Sequence, residues 1–399
     1  MSTQNPIFIP GPTNIPEELR SAVDFPSIDH RSPVFAEMFR PLAAGLRRVL
    51  KSGDAEFALF PATGTGAWEA TITNTLSPGD RVLAARYGMF SHRWIDLCRR
   101  HGIDVEVIET PWGEGAPIEE FERVLASDKV HRIRAVLVCH NETATGVRSD
   151  IGGTRRAIDA ADHPAMLFVD GVSSIASMDF RMDEWRVDVA ITGSQKGFML
   201  PAGLAIVGLS PKAIDAMSTA TCPRCFFDIR EMLRSNATGG FPYTPPVNLI
   251  RGLGVSLGML EREGIENVFA RHTRIATGVR KAVQAWGLAL CAKDPSLYSD
   301  TVSAIIVPPG FDGTKVVTHA AGRYGVAFGI GLGEVAGKVF RIGHLGSLTD
   351  VMALSGIATA EMVMADLGFP IKLGSGVAAA QQHYRASVRA AENPVDVAA

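Results

Sequence analysis

The chain repeats a pattern in which a short, continuous apolar run alternates with an amphipathic stretch. Such runs lie at residues 57–60, 81–85, 135–139, 166–169, 187–192 and 203–209. Strands that are buried on both faces of a parallel sheet have this composition, because helices cover both faces. The amphipathic stretches at residues 91–101 and 151–161 are candidates for these helices. The pattern therefore predicts an α/β fold with a mostly parallel sheet sandwiched by helices.

The length of the chain, 399 residues, is sufficient for two domains. Residues 1–20 are rich in proline, which predicts an extended N-terminal arm. We expect residues 21–269 to form a large domain and residues 270–385, where helix-like and strand-like stretches are mixed, to form a smaller α+β domain. Residues 386–399 are expected to be a tail.

Composition and charge exclude several classes of protein. Charged residues make up 20% of the chain and the net charge is −3, which gives no electrostatic reason to expect nucleic acid or a membrane surface as a partner. We see neither a secretory signal nor an apolar run long enough to span a bilayer, so a cytoplasmic location is expected. Cys222 and Cys225 form a lone CxxC without a second ligand pair, so no metal site is predicted.

Two of the apolar runs lead to ionisable residues. One run ends at Asp170, and another is followed by Thr-Gly-Ser-Gln and then Lys196. Pyridoxal phosphate (PLP) requires these two groups, because an amine holds its aldehyde as a Schiff base and a carboxylate keeps its ring nitrogen protonated. Each residue also has an ordinary alternative, a helix N-cap for Asp170 and a solvated surface position for Lys196. If the pairing is real, the chain is a PLP enzyme.

Small and hydroxylic residues open a predicted helix after the first of these strands. Thr63, Gly64, Thr65 and Gly66 stand at its start, where free N–H groups and the helix dipole favour a phosphate. The alternative is a plain N-capped helix. The segment matches neither a Walker loop nor a dinucleotide fingerprint.

An arginine lies between two apolar residues near the end of the chain. Arg341 follows Phe340 and precedes Ile342, which suggests a partly buried guanidinium. Such a group is suited to a bidentate grip on a planar anion such as an α-carboxylate. The alternative is an internal salt bridge.

Together these residues resemble the class V aminotransferases, which are PLP enzymes of fold type I. The resemblance covers nearly the whole chain and is nearest to the branch of serine–glyoxylate, aspartate–glyoxylate and alanine–glyoxylate aminotransferases. The motifs that carry it are Phe8-Ile9-Pro10-Gly11-Pro12-Thr13-Asn14, Asp29-His30-Arg31-Ser32, Thr63-Gly64-Thr65, His140-Asn141-Glu142-Thr143-Ala144-Thr145-Gly146, Phe168-Val169-Asp170-Gly171-Val172-Ser173-Ser174, Gly193-Ser194-Gln195-Lys196-Gly197, Tyr243-Thr244-Pro245-Pro246 and Arg341-Ile342-Gly343.

The resemblance implies a role for each residue around the cofactor ring. Lys196 is implied to be the Schiff-base lysine and the catalytic base, and Asp170 the partner of the pyridinium nitrogen. Thr143 is implied to lie near the ring hydroxyl, and Phe90 to stack on the ring where the alanine branch has a tryptophan. Arg341 is implied to bind the substrate α-carboxylate.

The resemblance also implies how the cofactor phosphate is held. Within one chain the implied ligands are Thr63, Gly64, Thr65 and Gln195. Thr244 is implied to reach the phosphate of the neighbouring subunit. The expected assembly is therefore a homodimer with shared active sites.

The function implied by the resemblance is transfer of an amino group from L-serine or L-aspartate to glyoxylate, giving glycine and hydroxypyruvate or oxaloacetate. Aspartate would need a second cation, for which His30, Arg31 and His344 are candidates. Alternatives are an alanine–glyoxylate aminotransferase and a PLP-dependent lyase or desulfurase with a loop cysteine. The chain lacks the glycine-rich fingerprint that a nicotinamide dehydrogenase would need. A non-catalytic scaffold would have no reason to keep a buried lysine.

Overall fold

Residues 6–392, which the computed structural model describes, form two main β-sheets and the helices that cover them. The strands are β1 (Ile7–Phe8), β2 (Glu56–Phe60), β3 (Arg81–Arg86), β4 (Asp104–Glu109), β5 (Ile133–Cys139), β6 (Asn141–Glu142), β7 (Val147–Arg148), β8 (Met166–Asp170), β9 (Val189–Gly193), β10 (Ala205–Leu209), β11 (Ala289–Leu290), β12 (Val302–Ile306), β13 (Ala327–Ile330) and β14 (Val339–Gly343).

The helices are longest in the second half of the chain. They are α1 (Glu17–Val23), α2 (Pro33–Phe39), α3 (Leu42–Leu50), α4 (Gly64–Thr75), α5 (Met89–Arg100), α6 (Ile118–Ser127), α7 (Ile151–Ala160), α8 (Pro211–Ala216), α9 (Ile229–Ala237), α10 (Val247–Glu263), α11 (Ile265–Ala285), α12 (Gly313–His319), α13 (Asp350–Asp366) and α14 (Ser375–Glu392). Within the described part of the chain, none has the length and apolar composition needed to cross a bilayer.

The large sheet has seven strands in the order β2-β10-β9-β8-β5-β3-β4. Strand β10 runs antiparallel to both of its neighbours, and the other pairings in this sheet are parallel. The prediction of a mostly parallel α/β sheet is confirmed, and each of the six apolar runs overlaps one of its strands. Strand β4 escaped the prediction because it is an edge strand with charged, partly exposed side chains rather than a continuous apolar run.

Parallel pairing brings the functional candidates to one edge of this sheet. Asp170 is the last residue of β8 and is in register with Cys139 of β5 and Ile191 of β9. Lys196 follows the end of β9, and Thr63 follows the end of β2. These strands all run in the same direction, so the three residues meet at their carboxyl ends, where open α/β sheets bind ligands.

The second sheet has five strands in the order β1-β13-β14-β12-β11. Its edge strand β1 comes from the N-terminal arm and pairs in parallel with β13, with Ile7 opposite Ala327. Phe8 is buried in the apolar core of this sheet together with Phe340 and Ile357. The arm is therefore a part of the C-terminal sheet, a pairing that its proline content did not predict.

Helix α11 connects the two apolar cores. Val268, near its start, packs in the core of the large sheet, whereas Ile275 and Val279 pack in the core of the small sheet. We keep the division between residues 269 and 270 as a proposal. Helix α14 extends into the predicted tail, and residues 1–5 and 393–399 lie outside the described part of the chain.

Candidate active site

A cavity at the carboxyl edge of the large sheet gathers most of the predicted site residues. Those of the sequence candidates that line it are Thr63, Gly64, Thr65, Phe90, Thr143, Asp170, Gln195 and Lys196. Trp68, Val172 and Ser173 complete the lining. Residues from five separate segments of the chain therefore converge on one space.

Lys196 lies in the turn that follows β9. Its Nζ donates a hydrogen bond to the main-chain carbonyl of Pro10. Burial, together with the charge of Arg341, lowers the pKa of the amine from 10.5 to about 8, and the charge of Asp170 opposes this shift. A substantial share of the amine is therefore neutral near physiological pH, as a nucleophile and a base require.

Asp170 is buried and has no cationic side chain bonded to it among residues 6–392. Its Oδ1 accepts a hydrogen bond from the Val172 amide at 2.9 Å, and Oδ2 faces the Cys139 thiol at 3.7 Å. Burial raises its pKa from 3.8 to about 7, and the Val172 amide opposes that shift. The residues that follow form turns rather than a helix, so the N-cap alternative does not explain this carboxylate.

Helix α4 presents an open N-terminus to the cavity. Thr63 is its N-cap residue, yet the Thr63 side chain makes no capping hydrogen bond, so the plain N-cap alternative does not apply. The free amides of the first turn can therefore receive an anion. Nearby, the Oε1 atom of Gln195 is buried without a hydrogen-bond partner in the described structure. A buried polar atom without a partner is costly, so this oxygen marks a place for another group.

Arg341 approaches from strand β14 of the small sheet. Its side chain is buried, with Nε donating to the Ile330 carbonyl at 2.8 Å and Nη1 to the Thr143 carbonyl at 2.7 Å. Within the described residues it forms no salt bridge, so the alternative of an internal ion pair is wrong. Burial lowers its pKa to about 10, and the charge of Glu142 opposes the shift. The guanidinium is thus oriented by the main chain and lacks an anion.

Glu142 is a buried residue of the site that sequence reasoning did not single out. Its carboxylate accepts hydrogen bonds from the amides of Phe90, Ser91 and Ala144 at 3.0–3.2 Å. It therefore holds the N-terminus of α5, which carries Phe90, against the loop that carries Thr143. The signal in the sequence was an acidic residue three positions after the apolar run at residues 135–139.

A hydroxyl network fixes Thr143 in the wall of the cavity. Thr143 Oγ1 is hydrogen-bonded to Ser173 Oγ at 2.7 Å, and Asn141 Nδ2 donates to the same Ser173 oxygen at 2.8 Å. Neither Asn141 nor Ser173 was predicted as a site residue. Asn141 Oδ1 is buried without a partner in the described structure, which makes this amide a further candidate for contact with a bound group.

Thr244 and the three residues considered as a cation for the aspartate β-carboxylate do not line this cavity. Thr244 is exposed and lines a separate cavity with His30. Arg31 is also exposed. His344 is buried against Ser303 Oγ and the Asp300 carbonyl, and burial lowers its pKa to about 3. His344 is therefore neutral at physiological pH, so the expectation that it could supply a positive charge is wrong.

The cysteines of the CxxC motif are not in the cavity. The Cys222 amide bonds to the Leu76 carbonyl just beyond the C-terminal end of α4, the end opposite Thr63. Cys222 is buried and Cys225 is exposed, and both are free thiols. Within residues 6–392 no group of His, Cys, Asp and Glu side chains is arranged to hold a metal ion.

The sequence profile of the family described as "Aminotransferase class-V" matches residues 25–332. The chain belongs to this family. It is 70% identical to the L-aspartate–glyoxylate aminotransferase of Paracoccus denitrificans over 98% of its length and 99% of that protein. It is 53% identical to the serine–glyoxylate aminotransferase of Hyphomicrobium methylovorum, covering 95% and 94% of the two chains.

Solved structures of aminotransferases share the fold. The crystal structure of pyridoxamine–pyruvate aminotransferase from Mesorhizobium loti superposes with a TM-score of 0.90 at 27% identity, covering 96% of this chain and 98% of the other. The fold prediction, a fold-type I PLP enzyme, is confirmed. Family and structural neighbours imply PLP as the cofactor.

The residues of the cavity fit PLP. The open N-terminus of α4 suits a phosphate, and the buried Asp170 suits a protonated ring nitrogen. Lys196 supplies an amine of lowered pKa in the same cavity.

Proposed function

We propose that this protein is a PLP-dependent aminotransferase that moves the amino group of L-aspartate or L-serine to glyoxylate. The products are glycine and oxaloacetate or hydroxypyruvate. The main support is that Lys196 and Asp170 line one cavity in a chain that is 70% identical to an aspartate–glyoxylate aminotransferase. The higher identity to that relative than to the serine enzymes favours aspartate as the donor.

Different residues bind the substrate and transfer its proton. When bound, PLP accepts the amino group and delocalises the negative charge that develops at the substrate Cα. Arg341 binds the substrate α-carboxylate and thereby points the Cα–H bond toward Lys196. Lys196 Nζ, neutral in part near pH 8, takes the Cα proton as a general base and later returns a proton as a general acid.

Other side chains keep the reacting groups in place. Asp170, buried beside the strand end, holds a proton on the ring nitrogen through charge pairing. Thr63, Thr65 and Gln195, with the amides at the start of α4, bind the phosphate. Phe90 packs on the face of the ring, and its amide is fixed by a buried carboxylate of the neighbouring loop.

We also propose that two copies assemble and share their active sites. Thr244 lines a cavity other than the one that holds Lys196 in its own chain, and a contact with the phosphate would therefore come from a second subunit. Its exposure supports such a contact. We retain the cytoplasmic location as part of this proposal.

A donor panel with glyoxylate as the acceptor tests the proposal. We expect glycine to form from aspartate, serine or both, with parallel lines in a two-substrate plot because the transfer is ping-pong. Lys196→Ala should abolish turnover, whereas Lys212→Ala should not. Lys212 is a matched control because its Nζ also bonds a main-chain carbonyl, that of Ala165, but at the opposite edge of the sheet. No glycine from any donor would refute the proposal.

A further inference from the structure

A strap formed by residues 7–13 crosses the site between the two sheets. Its first residues form β1, which pairs with β13, and Phe8 is anchored in the core of the small sheet. Its last residues touch the turn of Lys196. The Pro10 carbonyl accepts a hydrogen bond from Lys196 Nζ, and Thr13 Oγ1 donates to the Lys196 carbonyl at 3.3 Å.

Gly11 allows the strap to lie directly on the lysine. Its φ is +103°, a conformation that L side chains rarely adopt. A Cβ placed on Gly11 would overlap Cδ, Cε and Nζ of Lys196. The backbone conformation therefore favours glycine here, and a larger residue would displace the end of the Lys196 side chain.

The strap is also fitted against the strand that carries Arg341. A Cβ at Gly343, the last residue of β14, would overlap the backbone of Ile9 and Pro10. A Cβ at Gly329 would lie 3.0 Å from Pro10 Cδ and 3.1 Å from Arg341 Cβ. The strap thus contacts both Lys196, which follows β9 of the large sheet, and strand β14 of the small sheet, which carries Arg341.

We propose that the strap is a positioning element for the Lys196 amine, acting through the Pro10 carbonyl. The inference rests on the proposed function, in which the amine is released while it moves a proton at the substrate Cα. A released lysine has four rotatable side-chain bonds and needs an acceptor to keep it beside the substrate. A main-chain carbonyl is suited to this because it bonds the neutral and the protonated amine alike and does not take the proton itself.

The attachment to β13 and β14 adds a second consequence. Arg341 lies on β14, which pairs with β13, and β13 pairs with β1 of the strap, so binding of the substrate carboxylate and placement of the amine depend on the same sheet. A displacement of the small sheet relative to the large sheet would move Arg341 and the Pro10 carbonyl together. Binding of the substrate carboxylate and transfer of the Cα proton are thereby coupled.

Gly11→Ala tests the inference, with Gly79→Ala as the matched control. Gly79 has a similar φ of +90°, but a Cβ there meets nothing within 4 Å. The first readout is acylation of Lys196 by acetic anhydride in the cofactor-free protein, followed by peptide mass spectrometry. We expect Gly11→Ala to speed acylation roughly fivefold, the equivalent of one lost hydrogen bond, and Gly79→Ala to leave it unchanged.

The second readout is the single-turnover rate of the PLP-loaded enzyme with Cα-deuterated and ordinary aspartate. We expect Gly11→Ala to slow the reaction roughly fivefold and to increase the deuterium isotope effect, because a misplaced amine makes proton transfer limiting. A residue that only stabilised the fold would not change the isotope effect.

Phe8→Leu provides a second route if Gly11→Ala fails to fold. It loosens the anchor of the strap, and its control is Phe369→Leu, another buried aromatic of the small core that packs on Phe311 instead. Unchanged acylation and an unchanged isotope effect in the strap variants would overturn the inference. Acylation needs no transamination, so a wild-type protein without activity but with a strap-dependent acylation rate would refute the proposed function alone.

Discussion

The guanidinium of Arg341 donates from Nη1 to the carbonyl oxygen of Thr143, 2.7 Å away, and this bond joins the small sheet to the wall of the cavity. The Nε–H group is bonded as well, to Ile330. The plane of the guanidinium is therefore fixed before a substrate arrives. Such preorganisation lowers the entropic cost of binding a carboxylate.

Arg341→Lys should weaken binding of the amino donor more than it slows chemistry. A lysine cannot reproduce the two main-chain bonds and still offer a forked pair of donors. We expect the KM for aspartate to rise roughly 10- to 100-fold, with a smaller fall in kcat. Steady-state kinetics check this against Arg280→Lys, which changes an arginine of α11 that is paired with Asp300 outside the cavity. An unchanged KM would contradict a role in carboxylate binding.

Asp170→Asn should leave PLP bound but slow the reaction. An asparagine cannot pair with a protonated ring nitrogen, so charge at the substrate Cα is less well stabilised. We expect kcat to fall on the order of 100-fold or more. The matched control is Asp188→Asn, which removes another buried carboxylate, one that bonds Leu167 and Ser210 at the other edge of the sheet. Equal losses in the two variants would argue against a specific role for Asp170.

The same residue should make the cofactor-free protein sensitive to pH. The pKa of Asp170 rises from 3.8 to about 7 on folding, so the unfolded chain gives up this proton first as pH increases. The contribution of the group to stability is therefore present below pH 4 and is lost as pH rises to about 7.

Asp170→Asn removes that loss. In cofactor-free protein we expect the Tm of the variant to exceed that of the wild type by roughly 3 °C or more at pH 8, with a smaller difference at pH 5. Thermal unfolding followed by circular dichroism measures both. A variant that is less stable at pH 8 would show that the ionised carboxylate is stabilised by contacts other than the cofactor.

Uptake of PLP by the cofactor-free protein should follow the titration of Lys196. Attack on the aldehyde requires the neutral amine, and burial lowers the pKa of this amine to about 8. We expect the rate of cofactor linkage, followed by visible absorbance, to rise with pH above 7 and to level off above about 8. A rate that continued to rise toward 10.5, the ordinary value for lysine, would contradict the lowered pKa.

Hybrid dimers should reveal whether Thr244 serves the neighbouring site. Thr244→Ala and Lys196→Ala are each expected to impair their own homodimers. A hybrid of the two contains one site with an intact Lys196 facing an intact Thr244, so mixing and reassociation should restore activity above the sum of the parents. The control mixture of Lys196→Ala with Asp170→Asn should not be restored, because both residues lie in the same chain's cavity.

The sequence predicted correctly the positions of residues that follow from the order of the strands. Continuous apolar runs identify buried strands, and β8 and β9 are neighbours, so Asp170 and Lys196 had to emerge at one edge. The open start of α4 could be predicted as well, because Thr63 and Gly64 directly follow a strand. These are local signals combined with a general rule about parallel sheets.

The features that the sequence did not predict depend on contacts between distant segments of the chain. A two-residue strand such as β1 has no periodicity to detect, and its partner β13 lies near the other end of the chain. The bonds of Glu142 to the start of α5 join loops whose approach no propensity predicts. Likewise, only the structure shows that Arg341 is oriented by carbonyls rather than neutralised by an acid.

The pairing of Ile7 with Ala327 also sets an order of events during synthesis. At about 10 residues per second, roughly half a minute separates the emergence of these two partners from the ribosome. In that interval the nascent large domain can fold, while the segment that will lie over its lysine has nowhere to dock. The pocket of Lys196 therefore stays uncovered by this segment until β13 has been synthesised.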